Sequence, residues 1–224
     1  MDVASAVRRR QSVRAFKPDP VPAETVRELL TEAARAPSGG NLQPWRVYAL
    51  AGAELAAFKQ RIAVRLAAGE TGENTEYAVY PEPLWEPFRA RRRAAGKLRY
   101  AALGAGDKDS AAQRDLLARN FAFFGAPVGL FFCLDRRLGP PQWSDLGMYM
   151  QTLMLLAVAR GLDTCPQESW SSWPRSIAAH LHLPDELLVF AGMALGYRDP
   201  DHPLNQPRTE REPLEQFAEL RGFS

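Results

Sequence analysis

The sequence predicts a single α+β domain, because helical and strand patterns follow one another without the regular alternation of a doubly wound fold. Its 224 residues show no break in composition, and a chain of that length can bury one sizeable core. Hydrophobic residues make up 46% and charged residues 24%, which is typical of a soluble globular protein. We therefore expect one domain spanning residues 1–224.

Five helices are predicted from apolar residues that recur at helical spacing, at 22–37, 53–68, 110–124, 144–160 and 174–181. The fourth is strongly apolar and is expected to begin at the N-cap Ser144 and to stop at Gly161. Its apolar residues from Leu146 to Val158 extend around more of the helix than one core face requires. This pattern indicates that the helix is also buried against a partner.

Short apolar runs at 46–51, 128–134 and 187–195 predict strands, the last two of them buried. Segment 69–106 is instead rich in aromatic, proline and polar residues, so we expect an excursion over the surface, of a kind that often forms a lid. Two interpretations stay open for the aromatic side chains of this segment: they stack on a substrate, or they pack onto the domain and each other. These residues are Tyr77, Tyr80, Trp85 and Phe88.

The charge balance and the absent motifs exclude several functions. A net charge of +2 gives no general attraction for nucleic acid or membranes, so neither is expected as a partner, and the arginines at 89–93 are interpreted as a solvated face. Two distant cysteines and three isolated histidines predict neither a metal site nor a disulfide framework. Without a signal peptide or an apolar run of roughly 18 residues, we expect a cytoplasmic protein. The short motifs of Rossmann, P-loop, zinc-protease and α/β-hydrolase sites are missing.

The first positive signal lies near the N-terminus. In an extended stretch, residues at i, i+2 and i+4 share a face, so Arg10, Ser12 and Arg14 converge on one anionic ligand. Two guanidinium groups and a hydroxyl suit a phosphate monoester. Taken alone, a basic N-terminus is more often merely a solvated one.

The second signal is the loop at 36–45, with the sequence APSGGNLQPW. Its adjacent glycines permit close approach of the backbone to a flat ligand, and Ser38, Asn41 and Gln43 offer groups for a ring edged by donors and acceptors. The alternative is a loop that ends a helix before a strand.

These two stretches, in this order and with a helix between them, closely resemble the FMN-dependent nitroreductase family. Runs at 120–127, 161–168, 194–197 and 211–214 agree with it, so the resemblance spans nearly the whole chain. It implies a central, mostly antiparallel mixed sheet flanked by helices, and a homodimer with long interface helices. The implied activity is ping-pong hydride transfer from NADH or NADPH, through FMN, to a nitroaromatic, a quinone or a similar electron-poor substrate.

By that resemblance, the FMN phosphate is held by Arg10, Ser12 and Arg211, with Gln11 beside them. Arg14 faces the pyrimidine edge of the flavin, where a cation stabilises developing negative charge. The backbone of Pro166, Gln167 and Glu168 lies near the central ring, and a loop reaches the flavin of the other subunit with Pro37, Ser38, Gly39 and Asn41. Thr209 stands where the family often has a basic residue, which leaves Arg208, one step earlier, as a further phosphate contact.

No acid or base side chain is needed, because the flavin carries the chemistry. The family resemblance also permits a dehalogenase or an ene-reductase on the same fold, and a non-catalytic FMN-binding protein is a third possibility.

Overall fold

The computed structural model describes residues 1–106 and 108–223 of the chain. At its centre is a four-stranded sheet in the order β1-β2-β4-β3, in which every neighbouring pair is antiparallel. The strands are β1 (Arg46–Ala51), β2 (Val128–Asp135), β3 (Asp163–Gln167) and β4 (Leu187–Gly196). A parallel element comes from an isolated bridge between Ser12 and Thr164, beside β3.

Seven α-helices surround the sheet in the described part of the chain. They are α1 (Val3–Arg9), α2 (Ala23–Ala33), α3 (Gly52–Ala67), α4 (Phe88–Ala102), α5 (Ser110–Phe121), α6 (Pro140–Ala159) and α7 (Pro174–Leu181). None of the helices in the described residues is both long and apolar enough to cross a membrane.

Both faces of β2 are buried, which explains why its residues 128–134 are all apolar. Leu130 and Phe132 contribute to a cluster with α2 and α6, whereas Phe131 and Cys133 contribute to a second cluster with α3 and α7. Alternate side chains of a strand point to opposite faces, so a strand covered on both sides carries no polar positions.

The predicted strands and helices are confirmed within a few residues, and the largest differences are at two helix ends. The helix expected to close at Pro37 ends at Ala33. The helix expected to start at Ser144 begins at Pro140, capped by Gly139, and the Ser144 hydroxyl donates to the Pro141 carbonyl inside the helix. Proline at the first helical positions has no amide hydrogen to leave unsatisfied, so the start lies there. Strand β3 and helix α1 were not predicted.

The segment at 69–106, expected to be a surface excursion, contains in its second half the helix α4, which was not predicted and has no buried side chain. Its first half is fixed to the domain by the buried carboxylate of Glu73, which accepts hydrogen bonds from the Arg175 and Ser176 amides at the start of α7. The Tyr77 ring stacks on Phe190, so the packing alternative holds for Tyr77.

The other three aromatics of this segment lie further along it. Trp85 and Phe88 pack edge to face on each other, which is also the packing alternative. The Tyr80 ring lies under the Arg92 guanidinium in a cation–π contact.

Candidate active site

A cavity of about 470 Å³ lies where the N-terminal segment, helix α4 and the C-terminal segment meet. We call it the phosphate cavity; the predicted site residues among those that line it are Arg10, Gln11, Ser12, Arg14, Arg208 and Arg211. The structure therefore brings together the residues that the sequence analysis assigned to the phosphate and to the pyrimidine edge.

The alternation expected of the N-terminal segment is present. Arg10, Ser12 and Arg14 are half-buried and line the cavity, whereas Val13 between them is fully buried. The Val13 amide donates to the Thr164 carbonyl at 3.0 Å, which holds the segment alongside β3. Extended backbone fixed in this way directs Ser12 and Arg14 to the cavity and Val13 away from it.

Asn205 fixes the other side of this segment and was missed by the sequence analysis. Its side-chain oxygen accepts the Arg14 amide at 2.8 Å, and its nitrogen donates to the Ala15 and Asp199 carbonyls at 2.8 and 2.7 Å. Asn205 is buried, and these three bonds use both ends of its amide. No motif announces it, because its contacts with Arg14 and Ala15 cross about 190 residues of sequence.

The C-terminal segment brings Arg208 and Arg211 to the cavity. The Gln11 side-chain amide donates to the Asn205 and Pro207 carbonyls at 2.8 and 3.2 Å, so Gln11 acts as a tie for this segment. Arg208 donates to the Arg8 carbonyl at 2.8 Å. Thr209, which departs from the family pattern, accepts from the Arg211 guanidinium at 2.8 Å through its hydroxyl and so orients it.

The positive charge around the cavity is uncompensated. Among the described residues, no carboxylate lies within 4.0 Å of the guanidinium groups that line it, those of Arg8, Arg10, Arg14, Arg99, Arg208 and Arg211. Burial, followed by the charges of Arg211 and Arg208, lowers the pKa of Arg10. A bound anion would stabilise partly buried cations that repel one another in this way.

Arg99 is a second cavity residue that sequence reasoning missed. It lies on α4, is half-buried, and has its pKa lowered by burial and by the nearby charge of Arg14. Ala95, Leu98 and Arg99 line the cavity together, at the spacing of one helix face. The interpretation of 69–106 as an irregular excursion concealed that spacing.

The loop predicted to reach a second subunit lies away from the phosphate cavity of its own chain. Pro37, Gly39 and Asn41 are exposed, and neither they nor Ser38 line the cavity. The loop is nevertheless ordered by two contacts. The Gly39 amide donates to the buried Asp145 carboxylate at 3.2 Å, and the Ser38 hydroxyl accepts from the Gln43 amide at 3.0 Å.

Pro166 and Gln167 end β3, just after the residue paired with the N-terminal segment, and Glu168 begins a short 3-10 helix; none of the three lines the cavity. The Gln167 side-chain amide donates to Asn120, at 2.5 Å to its backbone oxygen and 3.1 Å to its side-chain oxygen, so this side chain holds the end of β3 in place. The Glu168 side chain reaches solvent, yet the surrounding protein desolvates its carboxyl and raises the pKa.

Known proteins resemble this chain over most of its length. The model of the Nitroreductase family matches residues 7–197. The chain is 38% identical over 212 residues to the chloronitrobenzene nitroreductase of Comamonas testosteroni, covering 95% of this chain and 93% of the relative. It is 36% identical over 223 residues to the 4-nitrobenzoate reductase of Pseudomonas putida, covering 99% of this chain and 96% of the relative.

Solved structures resemble the chain over its whole length. The FMN and NADPH-dependent nitroreductase NfnB of Sphigopyxis sp. strain HMH superposes with a TM-score of 0.96 at 39% identity, covering 100% of both chains. The FMN-dependent NfnB of Mycobacterium smegmatis, in complex with NADPH, gives a TM-score of 0.90 at 30% identity, covering 98% of this chain and 99% of the other. The predicted α+β nitroreductase fold is therefore confirmed, and the chain belongs to the nitroreductase family.

Proposed function

We propose that this chain is an FMN-dependent oxidoreductase that uses NADPH or NADH to reduce nitroaromatic compounds or similar electron-poor substrates. The observation that carries the proposal is the phosphate cavity, in which arginines without carboxylate partners surround Ser12. The relatives support the chemistry, since they are named as nitroreductases and 4-nitrobenzoate reductases.

The cavity residues fit the phosphate of FMN. Arg10 and Arg211 carry guanidinium forks without an acidic partner in the described residues, and the Ser12 hydroxyl adds a neutral donor between them. A terminal phosphate supplies the missing negative charge, and charge-assisted contacts of this type are the strong ones. FAD has no terminal phosphate, so we propose FMN as the cofactor.

Arg208 lies on the same cavity and adds positive charge, although one of its nitrogens is already bonded to the Arg8 carbonyl. Gln11 acts indirectly, by holding the C-terminal segment that carries Arg208 and Arg211. We propose that Arg14 faces the pyrimidine edge and that backbone groups of Pro166, Gln167 and Glu168 lie beside the central ring.

When bound, FMN accepts a hydride from the nicotinamide and passes it to the substrate. The protein positions the cofactor and supplies the electrostatics. Arg14 would stabilise negative charge that develops at the pyrimidine edge, and Arg99, whose pKa is lowered by burial and by the nearby charge of Arg14, would add to the same positive field.

We further propose that the enzyme is a homodimer in which Pro37, Ser38, Gly39 and Asn41 complete the site of the other subunit. The exposure of this loop supports the assignment. So does the outer face of α6, where the large apolar side chain of Met148 is 38% exposed. The C-terminal segment also leaves large apolar side chains uncovered within one chain, including Phe217 at 70% and Leu220 at 66%. Apolar groups of this size in an exposed segment are typical of an interface. Both described cysteines are buried and unpaired, which fits the reducing cytoplasm that we propose as the compartment.

Anaerobic spectroscopy tests the activity. The purified, yellow protein should lose its flavin colour on addition of NADPH or NADH and regain it on addition of nitrobenzene. A protein that retains FMN but is never bleached by either nicotinamide would be a binding protein rather than an oxidoreductase.

Subunit mixing tests the shared site. Arg10→Ala and Ser38→Trp homodimers should both be inactive, whereas their heterodimer has one site with both lesions and one with neither. Activity should therefore partly return on mixing. No recovery after demonstrated subunit exchange would contradict the shared site.

A further inference from the structure

A second cavity, of about 940 Å³, lies between the 75–84 segment and helix α4, and we call it the basic cavity. Its charged lining is strongly one-sided among the described residues, with Arg89, Arg92, Arg93 and Arg99 against the single carboxylate of Glu82. Neither the flavin nor a small nitroaromatic accounts for this excess of positive charge, because the residues proposed to hold the FMN phosphate line the other cavity.

The arginines of the basic cavity differ in whether their guanidinium groups already contact another side chain. Arg89 pairs with Glu86 at 2.7 Å, and the Arg92 guanidinium lies 4.3 Å above the Tyr80 ring. Arg93 and Arg99 form no hydrogen bond, and no ion pair within 4.0 Å, with the residues that the structure describes. Two free guanidinium groups therefore remain for a ligand, and guanidinium forks match phosphate oxygens.

The two cavities adjoin, because Arg99 lines both. A dinucleotide whose nicotinamide lies on the flavin can thus extend its other half past Arg99 into the basic cavity. We propose that this cavity binds the 2′-phosphoadenosine half of NADPH, with Arg93 contacting the 2′-phosphate, so that the enzyme prefers NADPH to NADH. This inference rests on the proposed function and names the electron donor of the same site.

The size and charge of the cavity favour this occupant. Its volume is near the upper end of the range of about 300–1,000 Å³ for small-molecule and cofactor pockets, which is far more than one substituted benzene ring needs. A 2′-phosphate brings up to two negative charges, and an arginine near the ribose is a known means of accommodating it in nucleotide sites. The Tyr80 and Tyr100 rings and the Arg92 plane offer surfaces on which adenine can stack.

A substrate carboxylate is a poorer match for Arg93. Arg93 precedes Arg99 by six residues on α4, which is about 9 Å along the helix axis. The carboxylate of a nitrobenzoate on the flavin is one ring away from the nitro group, so it would meet Arg99 before Arg93. The two anion sources therefore predict different effects of an Arg93 substitution.

The test uses the flavin-loaded enzyme and its Arg93→Ala variant, with Arg91→Ala as the matched control. Arg91 is exposed on the same helix, pairs with Glu212 at 2.7 Å and does not line the cavity. Calorimetry should show that the unaltered enzyme binds 2′,5′-ADP at least about tenfold more tightly than 5′-ADP, as one charge-assisted contact provides. Arg93→Ala should remove that difference, and Arg91→Ala should retain it.

Rapid-mixing measurement of flavin bleaching gives the second readout. For Arg93→Ala, half-saturation should require about tenfold more NADPH, with the NADH value changed by less than about threefold. Equal binding of 2′,5′-ADP and 5′-ADP by the unaltered enzyme would overturn the inference, and so would equal losses for both dinucleotides.

The outcomes separate this inference from the proposed function. Equal bleaching by NADH and NADPH leaves the oxidoreductase standing and removes the 2′-phosphate site. Failure of both to bleach the flavin removes the oxidoreductase, while 2′,5′-ADP binding still tests the cavity. If Arg93→Ala, with NADH as donor, raises the KM for 4-nitrobenzoate but not for nitrobenzene, the cavity serves a substrate carboxylate and the inference fails.

Discussion

The phosphate cavity and the basic cavity are both lined by arginines, but they are built differently. The first is assembled mainly from the two ends of the chain, with Arg99 of α4 beside them, and is held by Val13 on Thr164, by Asn205 on Arg14 and by Gln11 on the C-terminal segment. The second takes its arginines from one helix, α4, and part of their charge is already satisfied by Glu86 and by the Tyr80 ring. None of the described α4 side chains is buried.

The difference shows that a count of arginines does not identify a site. Exposed pairs such as Arg89 with Glu86, with side chains 62% and 52% exposed, contribute little to stability and are easily exchanged. Arginines held by buried ties and lacking carboxylates are instead organised in advance for an anion. We therefore expect the phosphate cavity to control flavin affinity, and the α4 arginines that line only the basic cavity to affect it weakly.

The largest effect on flavin affinity should come from the phosphate cavity itself. Arg10→Ala and Arg211→Ala should each raise the Kd for FMN by roughly 10- to 150-fold, since each loses a charge-assisted contact of about 1.5–3 kcal/mol. Titration of FMN into the apoproteins measures this, with Arg91→Ala as the control expected to bind normally. Unchanged affinity in both variants would remove the phosphate assignment.

A smaller effect should follow from loosening the ties without touching the flavin. Asn205→Ala removes the acceptor of the Arg14 amide and the donors to Ala15 and Asp199. We expect about a tenfold higher Kd for FMN and a loss of about 1–3 kcal/mol in the free energy of unfolding, because buried backbone groups lose their partners. The exposed neighbour Gln206, whose amide donates to Pro200, provides the control Gln206→Ala. Lower stability with unaltered FMN affinity would show that the cavity does not depend on this tie.

A still smaller effect on FMN should come from the anchor that precedes α4. Glu73 accepts hydrogen bonds from Arg65, Ser176 and the α7 amides, and these outweigh the cost of its burial and lower its pKa. A carboxyl with a lowered pKa contributes stability above its unfolded value, and this is lost as the pH falls through the folded value. Glu73→Gln should therefore reduce stability by about 1–3 kcal/mol at pH 7 while FMN affinity changes less than about threefold.

The pH dependence supplies the check for Glu73. The stability difference between the two proteins, measured by denaturant unfolding, should shrink as the pH falls below the ordinary carboxyl value of 4.5. A difference that is constant with pH would mean that the charge of Glu73 is not what holds the segment.

The sequence was sufficient where burial imposes a pattern. Residues 128–134 of β2 were predicted because a strand covered on both faces is apolar along its length, and residues 10–14 because alternate positions of an extended segment share a face. Strand β3 was missed because its sequence, DTCPQ, includes Asp163 and Pro166, which disfavour strands. Pairing with β4 and the Arg198–Asp163 ion pair at 2.6 Å hold it in place.

Helix α4 and Asn205 were missed for two further reasons. An arginine-rich helix with no buried side chain has few large apolar residues from which to predict it. The bonds of Asn205 to Arg14 and Ala15 join residues about 190 positions apart, so nothing near Asn205 in the sequence announces them. Helix α4 lines the phosphate cavity, and Asn205 supports it. Both roles arise only when distant parts of the chain meet in the folded protein.

The smallest effect on turnover should come from Glu168→Gln, although this residue lies in the turn proposed to face the flavin. Desolvation raises the pKa of its carboxyl, so folding disfavours the ionised form relative to the unfolded chain. The neutral amide removes that penalty, and we expect the apo variant to be slightly more stable than the unaltered protein at pH 7. This gain should disappear as the pH falls below the ordinary value of 4.5, where the native carboxyl is also protonated. Because the contribution assigned to Glu168 is a backbone group, flavin reduction should stay within about threefold of normal, whereas loss of a proton donor costs about 100- to 10,000-fold. Rapid-mixing measurement of bleaching by NADPH decides between the two, and a loss of that size with FMN retained would make Glu168 a catalytic acid.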